Sequence, residues 1–235
     1  MIITAAIPKG GVGKSTVLRA LASVACHRGY DVTVIDGDVR QHMTRWGKML
    51  TEANNMPSNL RIVSAAKEGG DVVTIDPQRI LESAEEYNGD RSVVFIDTEG
   101  TTNHAMMAGL YPADIVLVPV FYALDEVTAA VQTTDHYVPL IAQERERPLP
   151  CLFIETKYSI IDDKAGDLSE LREIIMQNGT PMSKARFWSR VVYRDLQSGQ
   201  TLFSRTKVDA KAVAESEAVF DEVLETFVKA IGVAA

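Results

Sequence analysis

Pro8-Lys9-Gly10-Gly11-Val12-Gly13-Lys14-Ser15-Thr16 decides how this 235-residue chain is read. Before it, Ile2-Ile3-Thr4-Ala5-Ala6-Ile7 is an apolar run that predicts a buried parallel strand. After it, Val17, Leu18, Leu21, Val24 and Ala25 recur at helical spacing until Gly29, which reads as a C-cap. Strand, glycine turn and helix in that order aim successive backbone N–H groups and a helix N-terminus at one point, which suits a phosphate chain. The spacing predicts that Lys9, Gly10, Gly11, Val12, Gly13, Lys14, Ser15 and Thr16 cradle a nucleotide. Lys14 would neutralise the β- and γ-phosphates and the Ser15 hydroxyl would ligate Mg²⁺. Two features depart from the strict G-x-x-x-x-G-K-[ST] pattern: Pro8 stands where the first glycine belongs, and a second lysine, Lys9, follows it.

Four more apolar runs end in informative residues. Val32-Thr33-Val34-Ile35 leads to Asp36-Gly37-Asp38, and Val93-Val94-Phe95-Ile96 leads to Asp97-Thr98-Glu99-Gly100. Ile115-Val116-Leu117-Val118 leads to Pro119, and Leu152-Phe153-Ile154 leads to Glu155-Thr156. Helical stretches lie between them, for example 124–142 and 168–178. The alternation predicts an α/β phosphate-loop fold, a doubly wound, mostly parallel sheet with helices on both faces. Such sheets bind ligands outside the carboxyl ends of their strands. Asp36 and Asp97 fall at those ends. A carboxylate there either caps the next helix or assists a metal. Two of them beside a phosphate loop favour Mg²⁺, with Ser15, Asp36 and Asp97 as candidate metal residues and Asp97 in the Walker-B position.

Composition narrows the class. With 46% hydrophobic and 24% charged residues the chain matches ordinary globular domains, so disordered and fibrous classes are excluded. No apolar run is long enough to span a bilayer, and Met1 leads straight into the first strand; the expectation is one cytoplasmic domain over residues 1–235. Cys26 and Cys151 have neither disulfide nor zinc spacing and read as small core residues.

Charge is unevenly spread. The net charge is −8, yet Lys184, Arg186, Arg190, Arg194, Arg205, Lys207 and Lys211 face only Asp195 and Asp209 in their window, a local +5 against −13 elsewhere. If residues 186–194 are helical, Arg186, Arg190 and Arg194 share a face. That is either a solvated surface or the footprint of a protein that holds nucleic-acid phosphates without reading bases. The last segment, with an apolar face of Val213, Phe220, Val223, Leu224, Phe227 and Ile231, carries six acids and two lysines over residues 209–235. A membrane-surface helix is basic on its polar face, so this one is expected to pack on the sheet, with no membrane partner.

The K-G-G-x-G-K-[ST] form resembles the deviant phosphate loop of the ParA/MinD ATPases. Asp36-Gly37-Asp38 is similar to that family's D-x-D switch I, although Val39-Arg40-Gln41 follows where the family often has proline and glutamine. Thr98-Glu99-Gly100-Thr101 stands where many partition ATPases carry Thr-Pro-Pro. Further likeness lies in Pro119-Val120-Phe121-Tyr122-Ala123-Leu124-Asp125-Glu126, in Thr156-Lys157-Tyr158 with Asp167-Leu168-Ser169 near the nucleotide base, and in the glycine turn Ser198-Gly199-Gln200-Thr201-Leu202. Met43-Thr44-Arg45-Trp46 resembles the VirC-type branch. The two isolated cysteines argue against the nitrogenase iron protein, a relative that needs cluster ligands.

The resemblance implies an ATPase using ATP and Mg²⁺. Lys9, Lys14 and Asp38 would be catalytic: Lys9 reaches the partner's ATP in a homodimer, and Asp38 orients the attacking water. It further implies that Arg186, Arg190, Arg194, Arg205 and Lys207 bind nonspecific DNA when ATP is bound, placing the protein on the nucleoid. A ParB-like or other adaptor would link it to a plasmid, transfer complex or protein cluster. Alternatives are a small-molecule kinase or ATP-dependent ligase of the same fold, such as dethiobiotin synthetase, and a DNA-independent ATP-binding regulator. His42, His104 and His136 are the residues that could serve such an acceptor site.

Overall fold

The computed structural model describes residues 1–67, 72–159 and 167–233, with the side chains of Asp167, Ile231 and Val233 not among those described. Six strands, β1 (Ile2–Ala5), β2 (Asp31–Gly37), β3 (Leu60–Ser64), β4 (Ser92–Thr98), β5 (Ile115–Val120) and β6 (Cys151–Glu155), form a sheet in the order β3-β2-β4-β1-β5-β6. Every adjacent pair is parallel. The helices that cross between them are α1 (Lys14–His27), α2 (His42–Glu52), α3 (Pro77–Glu86), α4 (His104–Leu110), α5 (Leu124–Gln132), α6 (Val138–Glu144), α7 (Asp167–Gln177), α8 (Val191–Asp195) and α9 (Ala210–Val233).

Strand alternation sorts these helices onto two faces. Ile3, Ala5, Val34, Phe95, Leu117 and Ile154 point to the face where α1, α2, α8 and α9 pack, with Leu18, Trp46, Tyr193 and Phe220 among the side chains that fill it. Val116, Val118 and Phe153 point the other way, toward α4, α5, α6 and α7. Ile35, Val94 and Ile96 meet Ile80 and Ala84 of α3 on that same side. Both faces are therefore dry, which is why the strands read as near-continuous apolar runs.

Helix α1 ends as its sequence implies: Gly29 takes φ +79°, its N–H donates to the Cys26 carbonyl, and Tyr30 N–H donates to Ala25. Cys26 and Cys151 are free and buried, and burial pushes each thiol up to about 12. Helix α9 packs on the sheet through Val219, Phe220 and Val223. The side chain of Ile231, expected on the same face, lies outside the described residues.

Two elements differ from the sequence reading. Strand β3 was not expected; it is a short edge strand whose Arg61 lies exposed and stacks its guanidinium 4.6 Å from the Tyr87 ring centroid, so it lacks an unbroken apolar signal. The stretch 124–142 is not one helix. A π-helical turn, Thr133–Tyr137, separates α5 from α6. Pro139 has no N–H to continue the ladder, and the hydroxyls of Thr133 and Thr134 donate back to the carbonyls of Ala129 and Val131 at 2.8 and 3.0 Å. Both effects loosen α-helical spacing.

Candidate nucleotide and metal site

The loop between β1 and α1 turns because Gly11 and Gly13 take φ values of +83° and +102°. A side chain is strained in that region, so these glycines are a condition of the loop's shape. Strand β6 braces the loop from outside: the Thr156 hydroxyl donates to the Val12 carbonyl at 2.6 Å, and the Lys157 ammonium donates to the Gly11 carbonyl. Lys157 does so from φ +53°, a strained backbone for a non-glycine residue.

Lys14 is buried, and its ammonium donates to the carbonyls of Lys9 and Ile7 at 2.9 and 3.3 Å. Burial lowers its pKa, while Asp97 and Asp38 favour the charge. Lys9 stands apart. Its ammonium lies 3.3 Å from Asp125 at the start of α5, in an exposed pair.

Register brings the metal candidates together, since Asp36 and Asp97 are direct partners across β2 and β4. Their oxygens are used differently. Asp36 accepts from the backbone N–H groups of Thr44 at 2.7 Å and Asp38 at 3.3 Å, so it ties down the start of α2. Asp97 accepts from the Ser15 hydroxyl at 2.6 Å through Oδ2, while its buried Oδ1 has no hydrogen-bond partner. Burial pushes the Asp97 carboxyl up to about 7, and burial likewise raises Asp36. A desolvated carboxylate with one oxygen unpaired, beside a serine hydroxyl, fits Mg²⁺. Among the described residues no three His, Cys, Asp or Glu side chains form a metal cage. Mg²⁺ needs none, because it keeps waters and takes phosphate oxygens.

The raised Asp97 pKa fixes the sign of a pH effect. In the metal-free fold this carboxyl holds its proton up to about pH 7, whereas the unfolded chain releases it near pH 4. The stability it contributes is present below pH 4 and is lost as pH rises through 7. Metal-free protein should melt at a lower temperature at pH 8 than at pH 6, and Asp97→Asn should flatten that difference.

Lys14, Ser15, Thr16, Asp38, Arg40, His42, Glu99, Gly100 and Lys157 are among the residues lining a cavity of about 340 Å³. Gly100 closes it from the loop after β4; a Cβ there would stand 2.8 Å from the Gly10 nitrogen. Thus Thr98-Glu99-Gly100, atypical in sequence, is packed directly on the phosphate loop. Asp38 is buried at the cavity wall and accepts from Arg40 N–H at 2.8 Å.

Arg19 also lines this cavity, and sequence reasoning passed over it. A lone arginine on an otherwise apolar helix, one turn beyond Ser15, was the available signal. It is 5% exposed, and its guanidinium donates to the His42 carbonyl at 2.9 Å. Burial lowers its pKa, and Asp97 and Asp36 oppose that shift.

The arginine stripe takes a different form from the helical face considered above. Residues 186–190 are not helical, and α8 begins only at Val191. Segment 181–189 instead runs along the outer edge of β6, with Phe153 N–H donating to Pro181 and Phe187 N–H to Glu155. Arg186 pairs with Glu155 at 3.1 Å and stacks on Tyr158, Arg190 pairs with Glu215, and Arg205 pairs with Asp195 at 3.1 Å. Arg194 and Lys207 are exposed, and among the described residues neither has an ion-pair partner. Arg190 and Arg194 also line an 80 Å³ recess with Trp188, Tyr193, Gly13 and Thr16. Of the three candidate histidines His42, His104 and His136, His42 lines the 340 Å³ cavity and the other two do not.

A parallel sheet with a glycine phosphate loop after β1, a buried lysine and a strand-end aspartate defines a phosphate-loop nucleotide-binding protein. The model of the CobQ/CobB/MinD/ParA nucleotide-binding domain matches residues 3–233, and the chain belongs to that family. It is 25% identical over 219 residues to Protein ParA of Rhizobium radiobacter, covering 92% of this chain and 91% of that one. Its fold is that of a plasmid partition chain from Borrelia burgdorferi B31 bound to AMPPNP, with TM-score 0.67, 18% identity, and 95% and 98% of the two chains covered. It is also that of the MinC:MinD cell division complex of Aquifex aeolicus, with TM-score 0.69, 14% identity, and 95% and 96% covered. ATP hydrolysis in the service of partition or positioning is a property of the ParA/MinD family. Among the described residues no helix is long and apolar enough to cross a membrane.

Proposed function

We propose that residues 1–235 form one ATPase domain that closes face to face with a second copy on binding ATP and Mg²⁺, and in that state binds DNA irrespective of sequence. The observation that carries this reading is the placement of the two lysines. Lys14 is buried against the loop carbonyls, where a triphosphate would take over its hydrogen bonds, whereas the Lys9 ammonium pairs with exposed Asp125 and Lys9 is not among the residues lining the cavity. A lysine so placed serves its own nucleotide poorly and a partner's well.

Ser15 and Asp97 would hold Mg²⁺, with Asp36 bracing the start of α2 behind them. The bound ion neutralises charge on the β- and γ-phosphate oxygens. Lys14 would bind the same phosphate oxygens, the loop N–H groups would fix the chain, and Asp38 would orient the attacking water. Positioning and charge neutralisation supply most of the catalysis, because phosphoryl transfer asks for little covalent chemistry. Hydrolysis then reopens the dimer. The cargo is a plasmid, transfer complex or protein cluster, joined through a ParB-like or other adaptor, and the protein is cytoplasmic and nucleoid-bound in its ATP state.

Arg194 and Lys207 are the best-placed DNA contacts because they are unpaired; Arg186, Arg190 and Arg205 would first have to leave their carboxylates. The recess that Arg194 shares with Gly13 and Thr16 gives bound nucleotide a physical route to its conformation. ATP-dependent DNA binding should weaken steeply with salt. The Arg194→Ala, Lys207→Ala double variant should bind at least tenfold more weakly, with a salt slope lower by about two. Equal binding of DNA by both proteins in a shift assay would refute the DNA assignment.

A further inference from the structure

The two buried polar atoms left unpaired at the metal edge carry opposite character: Asp97 Oδ1 and Arg19 Nε. Arg19 sits four residues beyond Ser15 on α1, hence on the same helical face. Its guanidinium lines the cavity with Lys14, Ser15, Asp38 and His42, and its one hydrogen bond crosses to the first residue of α2. The charged groups acting on it are Asp97 from β4, Asp36 from β2 and Arg45 from α2. A buried arginine without a dedicated carboxylate partner is expensive to keep, and a leucine would fill the same helix position at no electrostatic cost.

We infer that Arg19 is a positioning residue at the metal edge. It is a built-in monovalent cation beside Asp36 and Asp97 while no divalent ion is bound, and it holds the start of α2 against α1 through the His42 carbonyl. This rests on the reading that Asp97 and Ser15 hold the divalent ion. Two consequences follow from charge alone. The edge binds a free divalent ion weakly, because the ion enters beside a fixed positive charge, so tight metal binding waits for nucleotide phosphates. The metal-free fold also keeps a cation beside Asp36, and beside Asp97 once that carboxyl ionises.

The test uses Mn²⁺ in place of Mg²⁺, with free Mn²⁺ followed by electron paramagnetic resonance, on the full chain without nucleotide and with saturating ADP. A unit charge close to a divalent ion, at an effective dielectric of about 20, alters affinity by more than tenfold. Arg19→Met should therefore lower the half-saturating Mn²⁺ concentration by at least about tenfold, and Arg19→Lys should stay within about twofold of the parent. A merely structural arginine would leave Mn²⁺ affinity unchanged or weaken it when replaced; either result for folded Arg19→Met overturns the inference. So does a tenfold shift in Arg19→Lys. Should Arg19→Met be unfolded without metal, saturating Mn²⁺ with ADP should restore its circular dichroism, and failure to do so also overturns the inference. Parent protein that binds no Mn²⁺ even with ADP would instead refute the metal site itself.

Discussion

Asp38→Ala should lower ATP turnover by about 10²–10⁴-fold, the range associated with a group that positions or accepts a proton in the transition state. ATP affinity should change little. The reason lies in how Asp38 is held: it is 7% exposed, anchored through its carboxylate to Arg40 N–H and through its own N–H to Asp36, and it lines the same cavity as Lys14 and Ser15. It is thus fixed where the proposed mechanism needs a group to orient the attacking water. Because the ATP state would then persist, gel filtration of Asp38→Ala should give a dimer with ATP and a monomer with ADP. Adding Lys9→Ala should remove that ATP-dependent dimer, since Lys9 is the cation proposed to reach the partner's triphosphate. Single-turnover hydrolysis at the parental rate in Asp38→Ala would remove the residue from the mechanism.

Trp46→Ala should cost about 3–5 kcal/mol of stability, the range for removing a large aromatic side chain from a core. Trp46, on α2, is fully buried in the core cluster it shares with α1, α8 and α9, and its indole Nε1 donates to the Gln200 carbonyl at 3.0 Å. The neighbouring turn cannot move in to fill the space. Gly199 takes φ +78°, a Cβ on it would stand 2.4 Å from the Met49 carbonyl oxygen, and its own carbonyl already accepts from Asn55 at 2.8 Å. A cavity would therefore persist, with the Gln200 carbonyl left unpaired. At about 2–4 °C per kcal/mol for a chain of this size, the melting temperature should fall by roughly 10 °C. A fall below about 3 °C in a thermal melt would mean that the C-terminal segment repacks freely onto α2. The tryptophan is a packing residue of this chain, whatever branch of the family shares it.

The site was legible to unequal depth. The phosphate loop announced itself through glycines and lysines because its function needs backbone geometry that few other residues permit. Asp36 and Asp97 were legible as strand ends. Their division of labour was not, because it depends on which backbone N–H groups lie opposite each oxygen. Arg19 was hidden by its surroundings: on an apolar helix an arginine reads as an exception, and only the sheet register that sets Asp36 beside Asp97 gives it a partner. The basic window was visible as charge. Its geometry was not, because segment 181–189 satisfies the free edge of β6 and cannot also be helix.

Sequence by itself determined the strand-loop-helix phosphate site, the α/β class and the alternation of buried strands, since each is set by local backbone preference and by a hydrophobic period read within one segment. Tertiary structure alone decided the partners of the charges: Lys9 with Asp125, Arg190 with Glu215, Ser15 with Asp97, and Arg19 near two carboxylates. Those residues lie from 25 to 116 positions apart in the paired cases of Arg190 and Lys9. No local preference encodes such distances; they arise only when parallel crossovers bring the carboxyl ends of β1, β2, β4 and β5 to one edge and α9 packs beside the start of α8.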